Sequence, residues 1–184
     1  PPNDFIPAAE KCHLIVEIGD WVLRETCRQH VAWRDAGIPP LNCSINLSPH
    51  QLKDTQIIAS VDRALKQSGL EDGCLEIEIT ESAILDNIKS ISELLGMLRM
   101  RGVSVSIDDF GTGYSSLSYL KRLPVDELKI DKSFVIHMIE DESDAVIVRA
   151  TIDLAHNLGL QVVAEGIEEQ AHLDYLQGEM CDTG

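Results

Sequence analysis

The sequence predicts an α/β fold of the TIM-like (β/α) barrel class. Two observations lead to this prediction. Short segments with apolar residues at every second position alternate along the chain with longer segments whose apolar residues recur every three or four positions. The strand-like segments also alternate apolar with polar residues; at 74–79, for example, Glu76 and Glu78 lie between apolar neighbours. Strands of a doubly wound sheet are apolar on both faces, so this alternation favours a closed barrel with a polar interior.

The first predicted elements are a helical region and a strand. Asp20 is a candidate N-cap for a helix whose apolar face includes Leu23 and Cys27. Gly37 and the two prolines that follow it are expected to end this helix. The alternating segment at 41–47 is then the first strand.

A repeated strand–helix unit accounts for the remaining chain. Ser48, Pro49 and Gln51 form a capping-box pattern, which predicts a helix that starts there and ends at Gly69. Four more strands are expected, each followed by a helix, at 74–79, 103–107, 125–130 and 160–164. Strands joined by helices are parallel, and no linker interrupts residues 1–184, which we interpret as one domain.

Composition excludes several classes of function. The net charge of −16 argues against binding to duplex DNA or RNA, which requires clustered Lys and Arg. The five cysteines include no C-x-x-C pair, and the six histidines form no H-E-x-x-H motif, so neither a structural zinc site nor a zinc protease is indicated. Reduced cysteines and the lack of a long apolar run suggest a cytoplasmic domain, either free or within a larger membrane-anchored protein.

Polar side chains stand at the carboxyl end of each predicted strand. In (β/α) barrels this rim carries the active site. Carboxylate and amide oxygens suit Mg²⁺ or Mn²⁺, and clustered carboxylates repel one another unless a cation neutralises them. We therefore expect a centre for two metal ions that acts on phosphorus, with a lysine that orients water or neutralises phosphate charge. The residues concerned are Asn46, Glu78, Asp108, Asp109, Lys129 and Glu165.

Each of these residues also has an ordinary structural interpretation. Glu78 could end a strand, Lys129 could pair with Asp131, and Asn46 could be a turn residue. Their joint placement at one rim favours function over these separate explanations. The Asp109-Phe110-Gly111 tripeptide is also found in kinases, but no Gly-rich loop or H-R-D segment accompanies it, so a kinase is set aside.

Five motifs in order resemble those of the EAL family. They are SINLS at 44–48, EITE at 78–81, DDFGTGYSSL at 108–117, KID at 129–131 and AEGIE at 164–168. The ten-residue run is highly specific, and the resemblance covers essentially the whole chain.

The resemblance implies hydrolysis of cyclic-di-GMP to linear pGpG with Mg²⁺ or Mn²⁺. Asn46, Glu78, Asp108 and Asp109 would be metal ligands. Glu165 would be a ligand or base near the attacking water, and Lys129 would position that water. Glu81 would anchor the loop, and Asp131 and Glu168 would support the site. The family also implies a homodimer formed through the loop at 111–117, and fusion to sensory or GGDEF-type domains.

The resemblance further implies that the domain is incomplete at both ends of this chain. The Glu-Ala-Leu motif would precede Pro1, and the last strands would follow Gly184. We expect this segment alone to fold poorly and to be inactive. Two alternatives remain: a catalytically inactive EAL domain that serves as a c-di-GMP receptor, and an enolase-like lyase that uses Lys129 as its base.

Overall fold

The computed structural model describes residues 1–39, 41–54, 56–85, 87–112 and 117–184. It confirms the α/β class, with strands in the order β1-β2-β3-β4-β5. The strands are β1 Cys43–Asn46, β2 Leu75–Thr80, β3 Ser104–Phe110, β4 Glu127–Ile130 and β5 Gln161–Ala164. The helices are α1 Pro2–Lys11, α2 Leu14–Asp35, α3 Ile57–Ser68, α4 Glu81–Leu85, α5 Ile88–Arg99, α6 Leu117–Leu120, α7 Lys132–His137, α8 Glu142–Leu158 and α9 Gln170–Gly178.

The chain divides into two compact units. The first contains Pro1–Ile79 and Asn87–Val105, and the second contains Thr80–Asp86 and Ser106–Gly184. In the first unit β1 and β2 pair in parallel, with Asn46 opposite Glu78. Ile45 of β1 and the apolar residues of β2 are buried, as predicted, whereas Cys43 is only half-buried; α2 packs against both β1 and α3. Glu76 on the polar face is also buried, and a hydrogen bond of 2.7 Å from Asn42 to its carboxylate offsets the cost of this burial.

The start of α2 differs from the prediction. The helix begins at Leu14, after His13 with a φ of 59°, so Asp20 lies inside the helix and is not its N-cap. Asp20 instead pairs with Arg24, one turn further on, at 3.3 Å. Leu23 and Cys27 are buried as expected, and the helix ends at Asp35, just before Gly37.

The capping box is present, but it does not start the long helix. The backbone N–H of Ser48 donates to Oε1 of Gln51 at 3.2 Å, and the N–H of Gln51 donates to Oγ of Ser48 at 3.3 Å. These bonds lie just before a 3₁₀ turn at Gln51–Lys53, in which the N–H of Lys53 donates to the carbonyl of His50 at 3.3 Å, and α3 starts only at Ile57. Gly69 then ends α3 with a φ of 61°, as predicted.

The second unit holds β4 and β5 in parallel register, with Lys129 opposite Val163. Helix α8 packs against both strands. Strand β3 continues to Phe110, three residues beyond its predicted end at 107. Helix α7, which the sequence did not indicate, follows β4 and packs against α8. Within the described ranges, no helix is both long enough and apolar enough to cross a membrane.

Candidate functional site

The first unit places Asn46 beside Glu78. Both residues lie at the carboxyl ends of paired strands, and the Nδ2 of Asn46 donates a hydrogen bond of 2.9 Å to Oε2 of Glu78. Glu78 is only 6% exposed, whereas Asn46 is exposed. Parallel pairing in register therefore brings together an amide and a carboxylate, both of which carry oxygens suited to a hard cation.

In the second unit an irregularity in β3 sets the positions of Asp108 and Asp109. The register with β4 shifts between Ile107 and Phe110, so these two aspartates lie opposite the single residue Lys129. Asp109 has a φ of 54°, and its N–H donates to Oδ1 of Asp108 at 2.9 Å. Such a bulge changes the direction of side chains that would otherwise point to opposite faces.

Lys129 lies among carboxylates from the neighbouring strands. Its Nζ is 2.5 Å from Oε1 of Glu165, which directly follows β5, and 3.9 Å from Oδ1 of Asp108. The lysine side chain is only 12% exposed. The second unit thus brings together three of the groups that the sequence predicted to act at the rim.

Asp109 has a strongly raised pKa. Burial raises the pKa of its carboxyl to about 6, with the charge of Asp108, a hydrogen bond to Asp131 and the charges of Asp131 and Glu165 adding to the effect. For Asp131, burial favours a higher pKa, but hydrogen bonds from Ser133 and Asp109 and the charge of Lys132 together outweigh it, so the pKa is lowered. These crowded carboxylates are a donor set that a divalent cation would neutralise.

The fit to Mg²⁺ or Mn²⁺ rests on the chemistry of these donors. Among the described residues, no three His, Cys, Asp or Glu side chains are already arranged as a metal-ligand set. Mg²⁺ keeps several of its waters when it binds and often takes only one or two carboxylates from a protein site. The pair Asp108 and Asp109 is compatible with that mode of binding.

Glu81 contacts the segment that follows β3. Its carboxylate is 1% exposed and accepts hydrogen bonds from the N–H of Gly111 at 3.3 Å and from the hydroxyl of Tyr119 at 3.2 Å. Residues 113–116 of the loop predicted at the dimer contact lie outside the described residues. Tyr119 was not singled out from the sequence, and only its burial, which requires a partner for the hydroxyl, identifies it.

Among the described contacts, none links Glu168 to the carboxylates around Lys129. Its side chain is exposed, and its backbone N–H lies 3.4 Å from Nδ1 of His172. Asp131, by contrast, caps α7, because its Oδ1 accepts a hydrogen bond of 2.9 Å from the N–H of Ser133.

Comparison with known proteins identifies the family of the chain. The EAL domain family model matches residues 1–184. The chain is 45% identical over 182 residues to the bifunctional diguanylate cyclase/cyclic di-GMP phosphodiesterase MucR of Pseudomonas aeruginosa, covering 99% of this chain and 27% of that protein. It is 43% identical to the cyclic di-GMP phosphodiesterase NbdA of the same organism, covering 98% of this chain and 23% of that protein. The chain thus spans about a quarter of these relatives.

Solved structures show the same fold. The PaMucR phosphodiesterase in complex with c-di-GMP matches with a TM-score of 0.94 and 45% identity, over 98% of this chain and 73% of that one. The EAL domain of Mycobacterium smegmatis DcpA matches with a TM-score of 0.86 and 45% identity, over 90% and 75% of the two chains. These matches confirm the predicted TIM-like barrel class. With the family model covering its whole length, the chain belongs to the EAL domain family.

Proposed function

We propose that this chain is part of a phosphodiesterase that hydrolyses cyclic-di-GMP to linear pGpG with a metal-activated water. The observation that carries the proposal is the contact of 2.5 Å between Lys129 and Glu165, with Asp108 beside the same lysine. Two relatives at 43% and 45% identity are cyclic di-GMP phosphodiesterases by name, and one matching structure contains c-di-GMP.

Four residues are proposed as ligands of Mg²⁺ or Mn²⁺, with two ions expected. Asn46 and Glu78 belong to the first unit, and Asp108 and Asp109 belong to the second. The bound cations would supply Lewis acidity toward the phosphate and make water acidic enough to react near neutral pH. The raised pKa of Asp109 supports this assignment, because a nearby cation would favour the ionised carboxylate.

Two side chains of the second unit are proposed to handle the reacting water. Glu165 accepts a proton from this water at a carboxylate oxygen as the water attacks phosphorus and the ester oxygen leaves. Lys129 holds Glu165 in place through Nζ and places a positive charge where the phosphate gains negative charge.

The proposal extends to the surroundings of the domain. We infer a homodimer formed through the loop at 111–117, a cytoplasmic site of action, and sensory or GGDEF-type domains in the same protein. The length of the relatives supports the last inference, since the chain matches only 27% of MucR, which is named as both a cyclase and a phosphodiesterase.

Substitution of Glu165 and Lys129 tests the assigned roles. We expect Glu165→Gln and Lys129→Met to lower kcat by about 10²-fold or more, the usual contribution of a positioned acid or base. Glu169→Gln is the matched control, because Glu169 is a nearby exposed carboxylate that makes no side-chain cap bond. EDTA should abolish hydrolysis, and Mg²⁺ or Mn²⁺ should restore it. Unchanged rates in both variants would refute the assignment.

A further inference from the structure

Helix α7 contacts both segments that carry the proposed catalytic carboxylates of the second unit. It begins at Lys132, directly after the N-cap Asp131 and three residues after Lys129. It lies against Gly111, which follows the Asp108–Asp109 segment, and against Gly166, which follows Glu165. Both contacts are made at glycines with positive φ.

The first contact is between Gly111 and Phe134. Gly111 has a φ of 99°, and a Cβ at this position would lie 3.1 Å from Cε2 of Phe134. That distance is shorter than an ordinary carbon–carbon contact of about 3.5–4.0 Å. The ring of Phe134 therefore leaves no room for a side chain at Gly111, where the chain leaves the Asp108–Asp109 bulge.

The second contact is tighter. Gly166 has a φ of 79°, and a Cβ there would lie 2.7 Å from Cβ and 3.3 Å from Cα of Lys132. The neighbouring atoms belong to the helix backbone and to the first carbon of a side chain, so they have little freedom to move aside. The peptide that follows Glu165 is therefore held directly against the first turn of α7.

We propose that α7 is a positioning element for the catalytic groups. In this role Phe134 sets the place of the Asp108–Asp109 segment, and Lys132 sets the place of Glu165 relative to Lys129. At Gly166 the neighbouring atoms are Cα and Cβ of Lys132, so this spacing does not depend on a flexible side chain, whereas at Gly111 it depends on the ring of Phe134. The distances that depend on this spacing are 2.5 Å from Lys129 to Glu165 and 3.9 Å from Lys129 to Asp108. The inference rests on the proposed function for its consequence in catalysis.

The test compares two alanine substitutions in the complete protein. Gly166→Ala should lower kcat about tenfold or more while KM for c-di-GMP changes within about twofold, because small displacements of reacting groups are costly. Gly159→Ala is the matched control: its φ of 74° imposes similar backbone strain, but no atom lies within 4 Å of the added Cβ. Equal kcat values in the two variants would overturn the inference.

A second pair of variants guards against simple misfolding. Gly111→Ala should lower kcat in the same way, and adding Phe134→Leu should restore the part of the loss that comes from the clash with the ring, while the strain of alanine at a φ of 99° remains. Failure of this rescue, with both proteins folded, would contradict the role of Phe134.

A structural measurement separates this inference from the proposed function. In crystals of Gly166→Ala, Nζ of Lys129 and Oε1 of Glu165 should lie beyond hydrogen-bonding distance, whereas Gly159→Ala should keep their contact. If the wild-type protein does not hydrolyse c-di-GMP, the proposed function is wrong. The distance between Lys129 and Glu165 still decides whether α7 positions Glu165. An unchanged distance in Gly166→Ala would refute the positioning role.

Discussion

At the scale of single residues, the feature that most shapes the chemistry is the bulge at Asp108 and Asp109. Two adjacent carboxylates lie opposite one lysine, and Asp109 adopts a φ of 54°. Left-handed backbone costs most residues roughly 1–2 kcal/mol, and Asp tolerates it better than most. Asp109 thus combines backbone strain with charge repulsion, as is common at functional sites.

Burial of the Asp109 carboxyl, together with the charge repulsion around it, predicts how the stability of the complete protein without bound metal depends on pH. The pKa of Asp109 rises from 3.8 to about 6 on folding, so between these values the folded chain holds a proton that the unfolded chain has released. Stability should therefore fall as pH rises through this window. Asp109→Asn should remove that part of the pH dependence. Urea unfolding in EDTA at about pH 4 and about pH 7 measures the change in the free energy of unfolding between the two pH values. The same change in the wild-type protein and in Asp109→Asn would contradict the raised pKa.

The sequence identified most of the residues at this scale but not their geometry. Asp108, Lys129 and Glu165 were predicted from their places at strand ends, and the second unit brings all three together. The bulge was not predicted, because a change in strand register leaves no compositional signal. Glu168 was expected to support the site from motif resemblance, yet no described contact links its side chain to this group.

At the scale of elements, the contact between α2 and the 3₁₀ turn depends on one helical glycine. Gln51 is 4% exposed, and a Cβ at Gly19 would lie 1.8 Å from its Nε2. The same side chain accepts a hydrogen bond from the N–H of Ser48, just before the turn. The capping box therefore holds Gln51 against α2 and does not start α3.

Gly19→Ala should consequently destabilise the complete protein. An alanine inside a helix normally adds about 0.5–1 kcal/mol of stability relative to glycine, but here the added carbon displaces Gln51. We expect a net loss of about 1 kcal/mol or more in the free energy of unfolding. Gly178→Ala in α9 is the control, since no atom lies within 4 Å of its Cβ, and it should be neutral or stabilising. A gain at Gly19 would contradict this packing.

The N-cap of α8 gives a second prediction. The side chain of Asp141 accepts a hydrogen bond of 2.7 Å from the N–H of Ser143. Asp141→Ala should lower the free energy of unfolding by about 1 kcal/mol. Asp153→Ala, an exposed change within the same helix, should cost less, and equal losses would argue against the cap.

The elements that the sequence did not show are the short ones. Helices α4 and α7 have 5 and 6 residues, which is fewer than two turns and too short for an apolar period to be read. The start of α2 was predicted too late, because a capping residue was sought at Asp20, whereas the helix begins after His13 without a side-chain cap bond.

At the scale of the whole molecule, the fold class and the family could be predicted before any coordinates were known. Alternation along the strands indicated a barrel, and the EAL motifs agreed with it. What could not be predicted is which close contacts hold the catalytic side chains, because these depend on packing between elements far apart in sequence, such as Gly166 and Lys132.

Ligand binding should stabilise the complete protein. With Glu165→Gln to prevent consumption of substrate, c-di-GMP and Mg²⁺ together should raise the Tm. A ligand at 100 times its Kd adds about 2.7 kcal/mol of stability. EDTA should remove the metal-dependent part of this increase. A Tm that responds to neither c-di-GMP nor metal would contradict binding at a metal-dependent site.

The measurement that tests the central claim most directly is the number of pGpG molecules formed per molecule of the complete wild-type protein with excess c-di-GMP and Mg²⁺. The proposed function predicts many turnovers, with linear pGpG as the product and none formed in EDTA. Binding of c-di-GMP without release of pGpG would contradict the claim and favour a c-di-GMP receptor.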